Sequence, residues 1–452
     1  MILDEALSIL EEVSLCDNCL GRQFAMLGYG LSNRERGYAI KVLLVFASHR
    51  LMKEGKRGES HTLEILAGNG LSKMAQDILD ATGVQVKKEA LECYLCGGAF
   101  NRLDELAKQS VEKLSEYDYA SFLVGIQTPP EIENREDELR AKHHLSWGES
   151  IRNEFSREIG KRIQEATKKE VNLKRPDILI TIDPFLETVS LTVNAVYVFG
   201  RYRKLVRGIP QSRWTCSACQ GRGCEACGGT GKLYQESVEE LVGNTLMEAY
   251  GGTDFVLHAA GREDIDVRTF GNGRPFVMEI EHPRKRHLDL EELSTGVNKA
   301  ASGKVEVLNL RESSREETRR LKDSSQSSKT YQALVEFGEE ITDDQLERLE
   351  TALGGHEIEQ LTPIRVSHRR ANLVRKKYIY ELKSRRVQTN RAELVLRCQG
   401  GLYIKELISG DGGRTKPSVS DVLGIPAKCV QLDVMNVAMG DTSEVERIQK
   451  KE

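Results

Sequence analysis

Nothing in these 452 residues is long and apolar enough to cross a bilayer. The longest apolar run, residues 42–47 with its neighbours, falls far short of the roughly 20 residues a helical span needs. The chain does not open with a basic stretch, an apolar core and a small-residue cleavage site, so no signal peptide is expected and the cytoplasm is the expected compartment. Charge of one sign is not in excess: 65 Lys and Arg stand against 69 Asp and Glu, a net charge of −4. That balance excludes a uniformly basic nucleic-acid binder, although local basic patches bind RNA whatever the total. Also missing are a P-loop, a glycine-rich loop after a strand to hold a methyl donor, and an H-x-E motif with a P-C-x-x-C partner. Nucleotide-driven, methyl-transfer and zinc-deaminase chemistries thereby lose their usual carriers.

What is present begins with cysteine. Eight of the ten cysteines fall into C-x-x-C pairs: Cys16/Cys19, Cys93/Cys96, Cys216/Cys219 and Cys224/Cys227. A divalent metal on thiolates takes two ligands from each tight turn, a pairing that scattered disulfide cysteines do not show. The first two pairs are expected to form one tetrahedral site and residues 216–227 a second, closed locally. With sulfur at every position and none left open, both are expected to be structural, holding one or two zinc ions in all. Cys398 and Cys429 stand outside the pairs and are expected in the core. With 30% charged and 39% apolar residues the chain should fold into about two to four domains of α+β class.

Apolar residues at helical spacing predict helices over residues 2–13, 33–53, 71–82 and 103–117, then a strand at 121–126 stopped by Pro129-Pro130. A helix at 150–167 leads into Val171-Asn172-Leu173 and the run Pro176-Asp177-Ile178-Leu179-Ile180-Thr181-Ile182-Asp183, with strands following at 188–194 and 195–199. In residues 200–208 Arg201, Arg203, Lys204 and Arg207 flank Tyr202, a composition suited to neutralising phosphate and stacking on a base. A helix over 237–250 is expected to carry Glu239, Glu240 and Glu248 outward. Residues 311–328 are almost wholly polar and are expected to form a mobile or solvated connection. Between 365 and 386 there are nine Lys and Arg against one acid, with Tyr378 and Tyr380 interleaved, the densest nucleic-acid footprint in the chain.

The chain is organised around residues 261–276, where acids and arginines crowd into Gly261-Arg262-Glu263-Asp264-Ile265-Asp266-Val267-Arg268 beside the turn signal Gly271-Asn272-Gly273. Glycine and asparagine break helices, which places these charges on a loop between strands. Two later stretches carry further chemistry: Lys329-Thr330-Tyr331-Gln332-Ala333-Leu334-Val335, and Gly400-Gly401-Leu402-Tyr403-Ile404-Lys405-Glu406-Leu407. In the second, paired glycines are expected to precede a strand with Tyr403 and Lys405 on one face.

Arg262-x-Asp264 with Val267 three residues on resembles the G-R-x-D-x-x-V catalytic loop of pseudouridine synthases. "YQALV" around Tyr331 resembles the "YSALK" of the TruB branch, and "GGLYIKEL" its "KGTYIRTL", with Lys405 in place of an arginine. The pattern over 104–207 resembles the THUMP domain of RNA-modifying enzymes. Taken with the cysteine-rich start, the whole chain resembles the archaeal form of the Pus-ten family. That resemblance implies a zinc-binding helical module at 1–103, a THUMP-like RNA-binding domain at 104–208, a four-cysteine zinc-ribbon-like insertion at 209–234, and a pseudouridine synthase catalytic domain with a mixed, mainly antiparallel sheet at 235–452. It implies isomerisation of T-loop uridines of tRNA (positions 54 and 55) by a cytoplasmic monomer that also grips the acceptor end and needs no organic cofactor.

In that family's terms Asp264 would be the nucleophile and Lys405 the cation that keeps it ionised. Tyr331 would stack on the flipped uracil, Tyr403 would line the same pocket, and Arg262, Arg201, Arg203, Arg369 and Arg370 would hold the RNA. Asp266 is the alternative nucleophile: it stands three before Thr269 with Gly271 beyond, similar to the R-L-D-x-x-T-x-G form of another branch. The preceding Gly-Arg favours Asp264. The competing reading is a non-enzymatic zinc-containing tRNA-binding protein or RNA chaperone, because residues 216–231 resemble a DnaJ cysteine-rich repeat. Such a protein would need several repeats and a His-Pro-Asp motif, and the sequence has neither.

Overall fold

The computed structural model describes residues 2–55, 59–84, 91–323 and 327–438, the side chains at 59, 322, 323 and 369 excepted. The chain divides into two compact units, Met1–Asn194 and Ala195–Glu452.

The first unit opens with helices α1 (Ile2–Glu12), α2 (Asp17–Arg22), α3 (Asn33–Lys53), α4 (Glu59–Ala67) and α5 (Lys73–Thr82). It continues as α6 (Leu103–Leu114), β1 (Ser121–Ile126), α7 (Pro130–Lys142), α8 (Ile151–Thr167), β2 (Glu170–Val171), β3 (Ile178–Asp183) and β4 (Thr188–Val193). Serine hydroxyls start the long helices: Ser32 and Glu35 form a reciprocal capping box on α3, and Ser150 caps α8. The strands lie in the order β2-β1-β3-β4, parallel except for the β3–β4 pair. Phe122, Phe155, Ile159, Ile163, Ile178 and Ile180 are fully buried between this sheet and its helices, with Phe100 stacked on Phe155 at 4.1 Å. The helical start and the sheet share that core. Arg22 joins them: its guanidinium, with no exposed surface, lies 2.8 Å from Glu136 of α7 and 3.1 Å from Glu154 of α8, and donates to Cys19 Sγ at 3.4 Å.

The second unit runs β5 (Val196–Lys204), α9 (Val238–Tyr250), β6 (Asp254–Ala259), β7 (Arg268–Glu281), α10 (Leu290–Ala300), β8 (Val305–Glu312), α11 (Arg315–Asp323) and β9 (Lys329–Phe337). It is completed by α12 (Asp343–Leu353), β10 (His356–Leu361), β11 (Val374–Gln388), β12 (Arg391–Cys398), α13 (Ile404–Ser409), β13 (Thr415–Lys416), α14 (Val419–Leu423) and β14 (Ala427–Val437). Its sheet has the order β13-β10-β11-β12-β9-β14-β7-β5-β8, with β6 paired to the second half of β7. Every pairing is antiparallel except β14 with β7, so the sheet is mixed and mainly antiparallel. β14 meets only Arg268 and Thr269 at the start of β7, while β6 begins to pair at Phe276. Residues 260–267 therefore turn in the gap between two partners of one strand.

Four local expectations are corrected. The strand assigned to the end of the THUMP-like domain is β5, and it belongs to the second sheet because its edges are taken by β7 and β8. Glu239 and Glu240 face inward: Glu239 accepts from the backbone of Arg213 and Leu257 at 2.8 and 3.1 Å, and Glu240 from Ser237 at 2.7 Å. Within the connection expected at 311–328, residues 315–323 form a helix whose Leu321 is buried, while 324–326 lie outside the described residues. Gly271 and Gly273 do not end a strand; with φ of +57° and +72° they kink β7 where Gly271 passes the carbonyl of Met435, so close that a Cβ would lie 1.8 Å from it.

Candidate active site

The β6–β7 loop is clamped from below by β5. Lys204, without exposed surface, donates to the carbonyls of Ile209, Asp264 and Ile265 at 3.0, 3.1 and 3.2 Å, and burial lowers its pKa. Arg207 donates to the carbonyl of Asp266 and pairs with Asp433 at 2.6 Å. Glu263 turns inward to Arg274 at 2.7 Å, both 1% exposed, and accepts from the Tyr202 hydroxyl at 2.9 Å. Burial and the Glu263 charge raise the pKa of Tyr202, so it stays a donor. With Glu263 anchored inside, Asp264 and Asp266 are left facing the solvent side.

There the two acids meet α13. Lys405 Nζ lies 3.3 Å from Asp264 Oδ2 and 2.8 Å from both oxygens of Asp266. Burial alone would lower the Lys405 pKa, but the hydrogen bond to Asp266 and the charge of Asp264 outweigh it and raise it. Burial likewise works to raise the Asp266 pKa and is overcome by Lys405, which lowers it. Asp264 has a second cation: Arg365 Nη1 stands 3.2 Å from Oδ1, while Arg365 Nε holds the buried Glu406 at 2.6 Å. Arg365, its pKa raised by these carboxylates against burial, also lies 5.8 Å from the centre of the Tyr403 ring. Asp264 is thus gripped from two sides and 34% exposed, where Asp266 has one partner cation and is 66% exposed.

These groups line one cavity of about 890 Å³ together with Arg262, Tyr331, Arg370, Lys377 and Tyr403. Its size falls within the range of small-molecule sites. Tyr331 enters from β9, where burial raises its pKa well above the ordinary phenol range and keeps it protonated. Arg262 is turned toward Ser212 and Gln211, at 2.8 and 3.4 Å.

The second half of this chain, residues 197–438, matches the family model described as Pus10, C-terminal, and residues 106–183 match the archaeal Pus10 THUMP domain. The chain belongs to the Pus10 family. It is 43% identical to the tRNA pseudouridine synthase Pus10 of Methanocaldococcus jannaschii over 95% of this chain and 93% of that one. Identity to the protein of the same name from Methanopyrus kandleri is 42%, over 96% and 98%, and to that from Pyrococcus furiosus 40%, over 97% and 98%.

Asp264, Tyr331, Tyr403, Lys405, Arg262 and Arg370, singled out from the sequence, all line the one cavity. The strand expected after Gly401 is instead a helix start: Gln360 grips Tyr403 on both sides, accepting from its N at 2.8 Å and donating to its O at 3.0 Å, and Lys405 follows in the first turn. Arg201 and Arg203 lie elsewhere. Arg201 donates to the carbonyls of Gly273 and Val437 at 2.8 and 3.2 Å; Arg203 donates to Gly271 O at 2.7 Å and pairs with Glu306 at 2.9 Å. Both are engaged in holding the sheet, since a guanidinium satisfied by carbonyls has few donors left for phosphate. The side chain of Arg369 falls outside the described residues. Of the basic segment, Arg365, Arg370, Arg375 and Lys377 line the cavity, while Lys376, Arg385 and Arg386 pair with Glu359, Glu393 and Asp343 at 3.0, 3.2 and 3.1 Å. Sequence reading placed Arg365 only within a phosphate-binding run and missed it as the partner of Asp264. It also missed Arg274 and Lys329.

The cysteines gather as spaced. Cys16, Cys19, Cys93 and Cys96 form one group and Cys216, Cys219, Cys224 and Cys227 another, the sulfurs of each within 4.8 Å of one another. Neighbouring sulfurs at 3.6 Å in the first and 3.7–3.9 Å in the second approach the separation of about 3.8 Å on a tetrahedral zinc with 2.3 Å bonds. Backbone N–H groups of Gly223 and Gly231 point at Cys219 and Cys227, both at 3.2 Å, as thiolates require. Both groups fit a tetrahedral metal ion, which would fasten the chain and supply no open coordination position.

Proposed function

We propose that this chain isomerises T-loop uridines of tRNA, at positions 54 and 55, to pseudouridine, with Asp264 as the nucleophile. The reaction breaks the N1–C1′ bond, turns the uracil, forms C5–C1′, removes the proton from C5 and leaves one on N1. It exchanges no electrons with a cofactor and needs one carboxylate that stays ionised in a water-poor pocket. The observation that carries the assignment is the double grip on Asp264 by Arg365 and Lys405 at the wall of the cavity that Tyr331 and Tyr403 also line. Arg365 at 3.2 Å and Lys405 at 3.3 Å fix the orientation of the two Asp264 oxygens at that wall. Lys405 lacks the guanidinium fork of an arginine, and Arg365 adds a single guanidinium contact to Asp264, its Nε being held by Glu406.

Tyr331, phenolic and protonated, stacks on the extruded uracil, and Tyr403 borders the ribose side. Arg262, Arg370 and Arg375 neutralise the phosphates that bring the T arm to the cavity, and the THUMP domain takes the acceptor end. Each cysteine group holds a structural zinc, and the protein acts as a cytoplasmic monomer.

The test is incubation of the purified protein with an unmodified tRNA transcript, without added cofactor, followed by mapping of pseudouridine. Product at 54 or 55 in the wild type and none with Asp264→Asn is the expected result. Tight tRNA binding without product in the wild type would replace the enzyme with a zinc-containing RNA-binding protein.

A further inference from the structure

The second cysteine group has no part in the chemistry above, yet it stands at the root of the same cavity. Its four sulfurs staple a short stem in which Thr215 bridges Lys232, Cys216 N donates to Gly231 O at 2.8 Å and Leu233 N donates to Trp214 O at 2.9 Å. The stem's base is fixed as well. The backbone N of Arg213 donates to the buried Glu239 at 2.8 Å, and its guanidinium lies over Phe255, 4.6 Å from the ring centre. Gln211 and Ser212 before the Arg213 anchor, and Trp214 between it and the stem, line the wall of the Asp264 cavity.

Trp214, one of two tryptophans, is the large apolar group at that rim. Tyr234 from the other side of the stem props it edge-on, at 5.6 Å and 83°, and 37% of its surface remains exposed. An indole that served only to pack the stem would turn inward, whereas this one rests on a single ring and stays partly open. The cavity beside it carries eight Lys and Arg against three acids. An aromatic face next to clustered cations suits a nucleobase still attached to its phosphates better than an apolar peptide or a lipid.

We propose that Trp214 is the stacking platform for the nucleobase next to the extruded uridine, and that the cysteine group of residues 216–227 holds it in place. The proposal rests on the function proposed above. When a base leaves its stack, its neighbour exposes a ring face, and an aromatic already standing at the rim covers that face without being ordered first. Base–aromatic stacking changes affinity by roughly 5- to 150-fold per base. The metal's role on this chain is therefore to prevent the stem, and with it the indole, from turning away.

The test uses full-length protein carrying Trp147→Phe, which leaves Trp214 as the sole tryptophan; Trp147 is half exposed, so the change is mild. Saturating unmodified tRNA should quench Trp214 emission, at the concentration at which binding is measured independently. A transcript with 2-aminopurine beside the target uridine should darken on binding, and stay bright with Trp214→Ala. That variant should bind roughly 5- to 150-fold more weakly, with Trp214→Tyr recovering most of the loss. Cys224→Ser should red-shift Trp214 emission and lower affinity toward that of Trp214→Ala. Unchanged Trp214 emission at saturating tRNA would overturn the platform. Full quenching and affinity in Cys224→Ser would overturn the role of the cysteine group. Failure of the wild type to make pseudouridine is a separate result, read on product, and would remove the function while the quenching measurement still stood.

Discussion

Replacing Lys329 with methionine should make the protein more stable at neutral pH while impairing it as an enzyme. Lys329 begins β9 two residues before Tyr331, is 6% exposed, and lines the cavity. Burial lowers its pKa to about 8 from an ordinary 10.5, with the nearby charge of Arg274 acting in the same direction. That fall corresponds to roughly 3 kcal/mol, the cost of keeping the ammonium charged in the folded state below pH 8. The unfolded chain holds this proton up to about pH 10.5, whereas the folded chain releases it near 8. Between those values the unfolded state binds more protons, so wild-type stability rises with pH through that window. Methionine keeps the length and removes the charge. Lys329→Met should therefore gain up to ~3 kcal/mol at pH 7, about 6–12 °C in Tm for a unit of this size. The gain should shrink above pH 8 and vanish near 10.5. Urea unfolding at pH 7, 9 and 10.5 measures it, and pseudouridine formation in the same samples should fall. A variant less stable than wild type at pH 7, or a gain that does not change with pH, would refute the reasoning.

Asp264→Asn should abolish turnover while tRNA affinity and thermal unfolding stay at wild-type values, and Asp266→Asn should only slow the reaction; the reverse pattern in single-turnover assays would move the nucleophile to Asp266. Cys93→Ala removes a ligand joining segments more than seventy residues apart, and structural zinc contributes on the order of 10 kcal/mol in small modules. Limited proteolysis should then cut within Met1–Asn194 and spare Ala195–Glu452, with the zinc content lowered by one; an unchanged digest and zinc content would remove the idea. Arg370→Ala should weaken tRNA binding and reduce the slope of log affinity against log salt by about 1. Arg203→Ala should leave that slope unaltered, because its guanidinium is engaged by Gly271 and Glu306.

How much of this was legible in the sequence depended on the reach of each interaction. The C-x-x-C pairs were legible because two ligands of a tetrahedral metal come from one turn, so local spacing carries the geometry. Asp264, Tyr331 and Lys405 were legible because short motifs surround them, and the fold brings all three to one cavity. Arg365 was not, since 101 residues separate it from Asp264 and a guanidinium in a basic run looks alike whether it meets carboxylate or phosphate. Arg201 and Arg203 show the same limit in the other direction: only the pairing of β5 with β7 reveals the carbonyls to which they donate. The helix after Gly401 did have a signal. Ile404, Leu407 and Ile408 are buried at the spacing of a helix, but the alternation of Tyr403 and Lys405 drew the reading to a strand.

β14 lies between β9 and β7, and so is the middle strand that joins the wall carrying Tyr331 to the loop carrying Asp264. The chain supplies it only after the more than two hundred residues between β5 and Ala427 have been made. Until it is made, β9 and the start of β7 lack the partner that the finished sheet places between them. The contact with β7 is a seam of two residue pairs, reinforced where Asp433 takes both Arg207 and Arg268 at 2.6 and 2.9 Å. A nascent chain cannot close the cavity early, and a product released before this strand carries two unpaired edges that mark it for aggregation or disposal. The order of the strands thus acts as a checkpoint on manufacture: among the described residues, the last strand made is the one that joins the wall of Tyr331 to the loop of Asp264.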